Sequence, residues 1–133
     1  MTSEEMETLG ERIGQAWNEG RPDLLDEVYG PGFIIRSNGQ DCEATKKVLI
    51  QSREALPDLR LSADDVIVAG DKIVIRGVAR AVHTGPYLGI PATGKRIERP
   101  YINIFRVEND KVVEEWSLGD DKLADKLIPI ERR

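Results

Sequence analysis

The spacing of the apolar residues changes near residue 59, and this change constrains the fold of the 133-residue chain more than any other feature. Before it, apolar residues recur at steps of three and four, which is the period of an amphipathic helix. From residue 59 onward apolar and polar residues alternate, which is the period of a half-buried strand. Helices followed by antiparallel strands predict an α+β fold, in which helices cover one face of a curved sheet.

Local signals divide the chain into predicted elements. Thr2 and Glu5 form a helix-start signature, Pro22 suits the first turn of a second helix, and Asp41 can cap a third helix over residues 44–56. Strands are predicted over residues 33–36, 59–61, 66–68, 73–82, 101–107 and 112–118, and a final short helix over residues 121–127. The length of the chain favours a single domain over residues 1–133.

Composition argues against several classes of function. The formal charge is −5 and no Lys/Arg stripe interleaves with aromatic residues, so we expect no nucleic-acid partner. Because the chain has one cysteine, Cys42, and one histidine, it cannot assemble a Cys/His metal site, and we expect no metal and no cofactor. The sequence has no run of about 18 apolar residues and no secretory signal, so we expect no membrane span and a cytoplasmic location.

The end of the last predicted strand carries a candidate catalytic carboxylate. Alternation places Trp116, Leu118 and Asp120 on one side of this strand, and Glu115 and Ser117 on the other. We expect Trp116 and Leu118 to line a pocket, so that desolvation raises the pKa of Asp120 and suits it to proton transfer near neutral pH. An aspartate before a helix is also an ordinary N-cap, and the two roles do not exclude each other.

Other candidate site residues lie before this strand. His83 could hydrogen-bond a substrate carbonyl or exchange protons with Asp120, or it could only satisfy a loop carbonyl. Tyr101 and Arg106 could donate to an enolate-like oxygen, but Arg106 could equally pair with a surface carboxylate such as Glu114.

Thirteen residues over 83–95 form a Gly/Pro-rich loop between two predicted strands. This is longer than a hairpin needs, which predicts a lid or rim over a hollow, although a long crossover without function would look the same. Its glycines lack the spacings that cradle phosphates, so nucleotide binding is not supported. Trp17 and Tyr87 are candidates for the wall or mouth of the hollow, or for the core.

Three motifs in a fixed order resemble one protein family. They are H-x-G-x-x-x-G-x-P-x-T-G-K over residues 83–95, F-R-V over 105–107 and D-K-V-V-E-x-W-x-x-x-D over 110–120. Together with W-N-E-G over 17–20 and P-D-L over 57–59, they make the chain similar to the SnoaL-like polyketide cyclases of the nuclear transport factor 2-like superfamily. The resemblance covers most of the chain.

This resemblance implies a cone-shaped, cystatin-like roll with a curved antiparallel or mixed sheet wrapped round N-terminal helices. It implies a homodimer formed by packing sheets, and a cofactor-free intramolecular aldol condensation of a hydrophobic, polyketide-like small molecule. Asp120 matches the general acid/base of the family, and His83, Tyr101 or Arg106 would stabilise the developing oxyanion. Apart from the resemblance, the residues that we expect to bind the substrate are Trp17, Tyr87, Tyr101, Arg106 and Trp116.

Three alternatives share the same fold. A ketosteroid-isomerase-like enzyme would need a second carboxylate facing the hollow, such as Asp41 or Asp26. An epoxide-hydrolase-like enzyme would need an Asp-Arg-Asp relay. In a non-catalytic small-molecule-binding module, Asp120 would only cap a helix.

Overall fold

A computed structural model describes residues 1–87 and 89–119. Within them, the helices are α1 (Ser3–Glu19), α2 (Asp23–Val28) and α3 (Cys42–Ala55). The strands are β1 (Tyr29–Ile35), β2 (Arg60–Leu61), β3 (Asp65–Ala69), β4 (Lys72–Val82), β5 (Arg96–Glu108) and β6 (Lys111–Gly119). Asp120 and the helix predicted over residues 121–127 lie outside the described residues.

The predicted helix boundaries are confirmed by their caps. The Thr2 hydroxyl accepts the backbone N–H of Glu5, whose carboxylate accepts the N–H of Thr2, so that α1 begins with a full capping box. Gly20 ends α1 in the left-handed region at φ 65°. The Asp41 carboxylate accepts the N–H of Ala44 and caps α3.

The strands form one mixed, curved and unclosed sheet in the order β1-β6-β5-β4-β2, with β3 also paired to β4. The pair β1–β6 is parallel and the other pairs are antiparallel. Helix α1 packs on β4, where the small Gly10 lets it approach Ile73 and Ile75. The predicted α+β architecture is therefore confirmed.

Two strands begin earlier than the sequence predicts. Strand β1 starts at Tyr29, because an irregularity in its pairing with β6 accommodates Gly30 and its neighbours. Strand β5 starts at Arg96, since β4 offers it a partner as far as Val82. Pairing with a long neighbour extends a strand beyond its own apolar pattern.

The sheet has two distinct faces. The inner face, covered by the helices, includes the buried residues Ile73, Ile75, Ala79 and Ala81 of β4. The residues of β4 that alternate with these buried ones lie on the outer face, together with the residues that pair with them on the neighbouring strands. The core has two clusters, one around Ile73 and one around Ala81, and the half-buried Trp17 packs against both.

The two faces of β6 are the reverse of the prediction. Trp116 and Leu118 are 37% and 69% exposed on the outer face, whereas Glu115 is only 7% exposed on the inner face. The cause is a β-bulge. Val107 pairs with Val112, but Arg106, the residue before Val107, pairs with Glu114. Strand β6 therefore has one extra residue at this point, which shifts the alternation of its side chains. Trp116 and Leu118 therefore do not lie on the helix-covered face.

Candidate functional site

His83 continues the buried series of β4 and is fully buried. Its Nδ1 atom accepts the backbone N–H of Thr93 at 3.1 Å and lies 2.8 Å from the Thr93 hydroxyl oxygen. Because Nδ1 accepts a hydrogen bond, it must keep its lone pair. The imidazole is therefore neutral and carries its proton on Nε2. The loop thus sets the tautomer of the ring.

The Nε2 atom of His83 is buried, and no hydrogen-bond partner for it exists among the described residues. A buried donor without a partner costs about 1–3 kcal/mol, and such groups are rare in folded proteins. A carbonyl or enolate oxygen of a ligand would satisfy this N–H. The role of His83 as a hydrogen-bond donor to substrate stays a prediction.

The loop over residues 83–95 is anchored at its base. The N–H groups of Thr84 and Gly85 both donate to the carbonyl of Ala55 at the end of α3, and the His83 N–H donates to the carbonyl of Lys95. Tyr87 is half-buried and packs against the second core cluster. The loop length matches the prediction, and its base holds His83 beside α3.

Two other predicted site residues on the inner side make contacts of their own. The Tyr101 hydroxyl donates to the backbone carbonyl of Ser62 at 2.6 Å, so its proton is already used and the predicted oxyanion role does not fit this geometry. Trp17 packs between the two core clusters, as its alternative role in the core predicts.

Arg106 and Trp116 lie on the outer face, away from His83. The Arg106 guanidinium donates to Glu114 at 2.5 Å, and Arg36 binds the same carboxylate at 2.6 Å. These two cations hold the pKa of Glu114 below its usual value. The surface pairing that the sequence left open for Arg106 is therefore the one observed, and the predicted oxyanion role is not supported.

Glu115 is a candidate functional residue that the sequence reasoning placed on the wrong face. Its carboxylate accepts the Ser117 hydroxyl, which is its one hydrogen bond to the described part of the chain. Burial raises the pKa of Glu115 to about 7, although the Ser117 hydroxyl opposes this shift. The sequence predicts a raised pKa for Asp120. Within residues 1–87 and 89–119, the carboxyl with a raised pKa is that of Glu115.

The other carboxylates considered for the hollow are exposed. Asp41 caps α3, and Asp26 binds the Lys46 ammonium at 3.0 Å. Lys46 also binds Glu43 at 2.9 Å, so one ammonium is shared by both carboxylates of the small group formed by Asp26, Glu43 and Cys42. Neither Asp41 nor Asp26 is the second carboxylate that an isomerase needs.

Described residues line two surface depressions. One, of about 470 Å³, lies beside α1 between Arg12 and Lys111, and the other, of about 260 Å³, lies between Arg60 and Arg96. Neither includes His83 or Glu115, so the hollow over the inner face stays a prediction. Among the described helices, none is both long and apolar enough to cross a membrane.

Comparison with known proteins decides the family. The sequence profile described as SnoaL-like polyketide cyclase matches residues 7–124, which is most of the chain. The chain belongs to the SnoaL-like polyketide cyclase family. None of the curated protein sequences matches it significantly.

Solved structures with the same fold superpose on this chain. TsrD from Streptomyces laurentii is 30% identical, with a TM-score of 0.82 over 90% of this chain and 91% of its own. IdmH from Streptomyces antibioticus, described as a candidate polyketide cyclase, is 25% identical, with a TM-score of 0.75 over 86% of this chain and 91% of its own. AclR from Streptomyces galilaeus, described as a candidate hydroxylase, is 23% identical and shares the fold, with a TM-score of 0.83 over 96% and 100%.

Proposed function

We propose that this SnoaL-like protein is a cofactor-free enzyme that closes a ring of a polyketide-like small molecule by intramolecular aldol condensation. Asp120 is the general acid/base, and His83 donates a hydrogen bond to the oxygen on which charge develops. Family membership supports the reaction class, and the name of IdmH points the same way. The observation that carries the proposal is the buried Nε2–H of His83, which has no hydrogen-bond partner within residues 1–87 and 89–119.

In this reaction the Asp120 carboxylate removes a proton from carbon next to a carbonyl group. The resulting enolate carbon attacks a second carbonyl carbon of the same molecule, and the electron pair of that C=O bond moves to its oxygen. Asp120 returns the proton to this alkoxide, so no oxidant or reductant is needed. A preorganised N–H donor that meets the developing charge accelerates such steps about 10²–10³-fold.

The first step can be tested without knowing the natural substrate. β-Tetralone has exchangeable hydrogens next to its carbonyl, and deuterium uptake from heavy water follows their removal by NMR. We expect the protein to accelerate the uptake above the buffer rate, and Asp120→Asn to remove this acceleration because the amide is not a base. If Asp120→Asn exchanges as fast as the wild type, Asp120 is not the base.

Two substitutions of His83 distinguish the roles of its two ring nitrogens. His83→Asn keeps an acceptor near the Nδ1 position for Thr93 but removes the Nε2 donor, whereas His83→Gln places an amide near Nε2. We expect a loss of about tenfold or more in the exchange rate for His83→Asn and a smaller loss for His83→Gln. Equal rates in both variants and the wild type would contradict a donor role.

The homodimer implied by the family also belongs to this proposal. Large apolar residues are exposed on the outer face, and packing two such faces together would remove them from water. The exposed apolar residues of this face include Ile67, Ile102, Trp116 and Leu118.

A further inference from the structure

The chemistry proposed above uses Asp120 and His83 but gives no role to Glu115. Glu115 lies on the inner face opposite Phe105, and no ion pair joins it to any cation of the described residues. Its neighbour in sequence, Glu114, binds two arginines on the outer face. Glutamates are rarely buried without an ion-pair partner, so the burial of Glu115 with a single hydrogen bond from Ser117 calls for an explanation.

Further polar groups lie beside Glu115 on the same face. Ser117 is two residues along β6, and Asn103 is the residue directly opposite Ser117 on β5. Both are only partly buried although they lie on the helix-covered side, so their side chains reach accessible space. The Asn103 amide makes no hydrogen bond to the described part of the chain. Three polar side chains thus share one area of an otherwise apolar surface.

This area lies at the opposite end of α3 from His83. Glu115 pairs with Ile35, whose N–H donates to the carbonyl of Gln40 just before α3, whereas the loop of His83 is bound to Ala55 at the end of α3. A helix of 14 residues is about 21 Å long. The two polar positions are therefore separated along the inner face.

We propose that Glu115, Ser117 and Asn103 form a second ligand-binding position, which hydrogen-bonds a carbonyl or hydroxyl oxygen at the end of the ligand remote from the reacting carbonyl. The ligand is then an extended molecule with oxygens at both ends. This inference rests on the proposal that the inner face binds a small molecule, but it does not depend on the reaction.

The protonation state of Glu115 supports this assignment. With a pKa of about 7, a large share of the carboxyl is neutral near neutral pH and offers an O–H donor to a carbonyl oxygen. Tyr29 from β1 also lies near Glu115 and is itself neutral when protonated. Binding through this donor weakens when the carboxyl ionises.

Androstenedione tests this second position alone, because its carbonyl oxygens do not titrate and the molecule is too short to reach His83 as well. Binding is measured by isothermal titration calorimetry for the wild type and for Glu115→Met, Glu115→Gln and Glu114→Gln. We expect Glu115→Met to weaken binding about tenfold, because it removes the donor while keeping the volume. Glu115→Gln retains an N–H donor, and Glu114→Gln changes only the outer face, so both should bind nearly as well as the wild type.

The pH dependence gives a second readout. Wild-type affinity should fall as the pH rises through about 7, and the affinity of Glu115→Gln should stay level. Absence of saturable binding to the wild type, or equal affinity of Glu115→Met, overturns the inference. Failure of the proposed reaction is distinguishable, because Asp120→Asn would then exchange β-tetralone normally while the effect of Glu115→Met on androstenedione remains.

Discussion

Glu115 links the stability of the folded chain to pH. Burial raises its pKa from 4.5 to about 7, so between these values the folded chain holds a proton that the unfolded chain has released. The contribution of Glu115 to the free energy of unfolding is therefore complete below pH 4.5 and is lost as the pH rises through about 7. We expect urea unfolding to show a decline of about 3 kcal/mol over this window.

Two amide variants identify the source of this decline. Glu115→Gln preserves the shape of the side chain and a partner for Ser117, and its stability should lack the decline. Glu114→Gln is the matched control: Arg106 and Arg36 lower the pKa of Glu114, so its contribution is lost only when the pH falls. A decline that persists in Glu115→Gln would assign it to another group.

The residues of the site differ in how far the sequence reveals them. His83 could be singled out from the sequence as the one histidine, which follows the end of an alternating strand. Its burial continues the alternation of buried residues along β4. Glu115 could not, because the bulge opposite Arg106 and Val107 decides which side chains of β6 face the helices. A bulge depends on how two strands pair, and the sequence of one strand does not show it.

Among the elements, the contact between α3 and the loop over residues 83–95 depends on Gly85. A Cβ atom at Gly85 would lie 2.0 Å from the carbonyl oxygen of Glu54, which belongs to the backbone and cannot move aside cheaply. Gly85→Ala must therefore separate the loop from α3 and break its hydrogen bonds to Ala55. We expect a loss of at least about 2 kcal/mol in the free energy of unfolding.

Gly14→Ala is the control for this substitution. A Cβ atom at Gly14 meets nothing within 4 Å, and the residue lies inside α1. Alanine there should raise stability by about 1 kcal/mol, because it lowers the entropy cost of forming the helix. Thermal unfolding followed by circular dichroism measures both variants. If Gly85→Ala is as stable as the wild type, the loop is not held at this point.

Elements with strong local signals were predicted well from the sequence. The capping box of Thr2 and Glu5 and the cap at Asp41 fixed the starts of two helices within a residue or two. The strands β1 and β5 begin earlier than predicted, since long-range pairing with β6 and β4 extends them. Local chemistry thus set the helix ends, and tertiary contacts set the strand ends.

At the scale of the whole molecule, the helices within residues 1–87 and 89–119 cover one side of the sheet. The outer face exposes large apolar side chains, including Ile102, Trp116 and Leu118, beside the Arg36–Glu114–Arg106 ion cluster. Register places Ile104 opposite Trp116 and Ile102 opposite Leu118, so these side chains form one continuous area on β5 and β6. The proposed homodimer would bury this area, with the charged cluster at its rim.

A charge placed in the centre of this area tests the dimer. We expect the wild type to sediment as a dimer and Leu118→Glu to sediment as a monomer with the same helix content, because the carboxylate would be buried without a partner. Ile50→Glu is the matched control, since Ile50 is 45% exposed on α3, away from the outer face, and this variant should remain dimeric. A monomeric wild type would contradict the proposal, and a dimer that survives Leu118→Glu would require an interface elsewhere on the molecule.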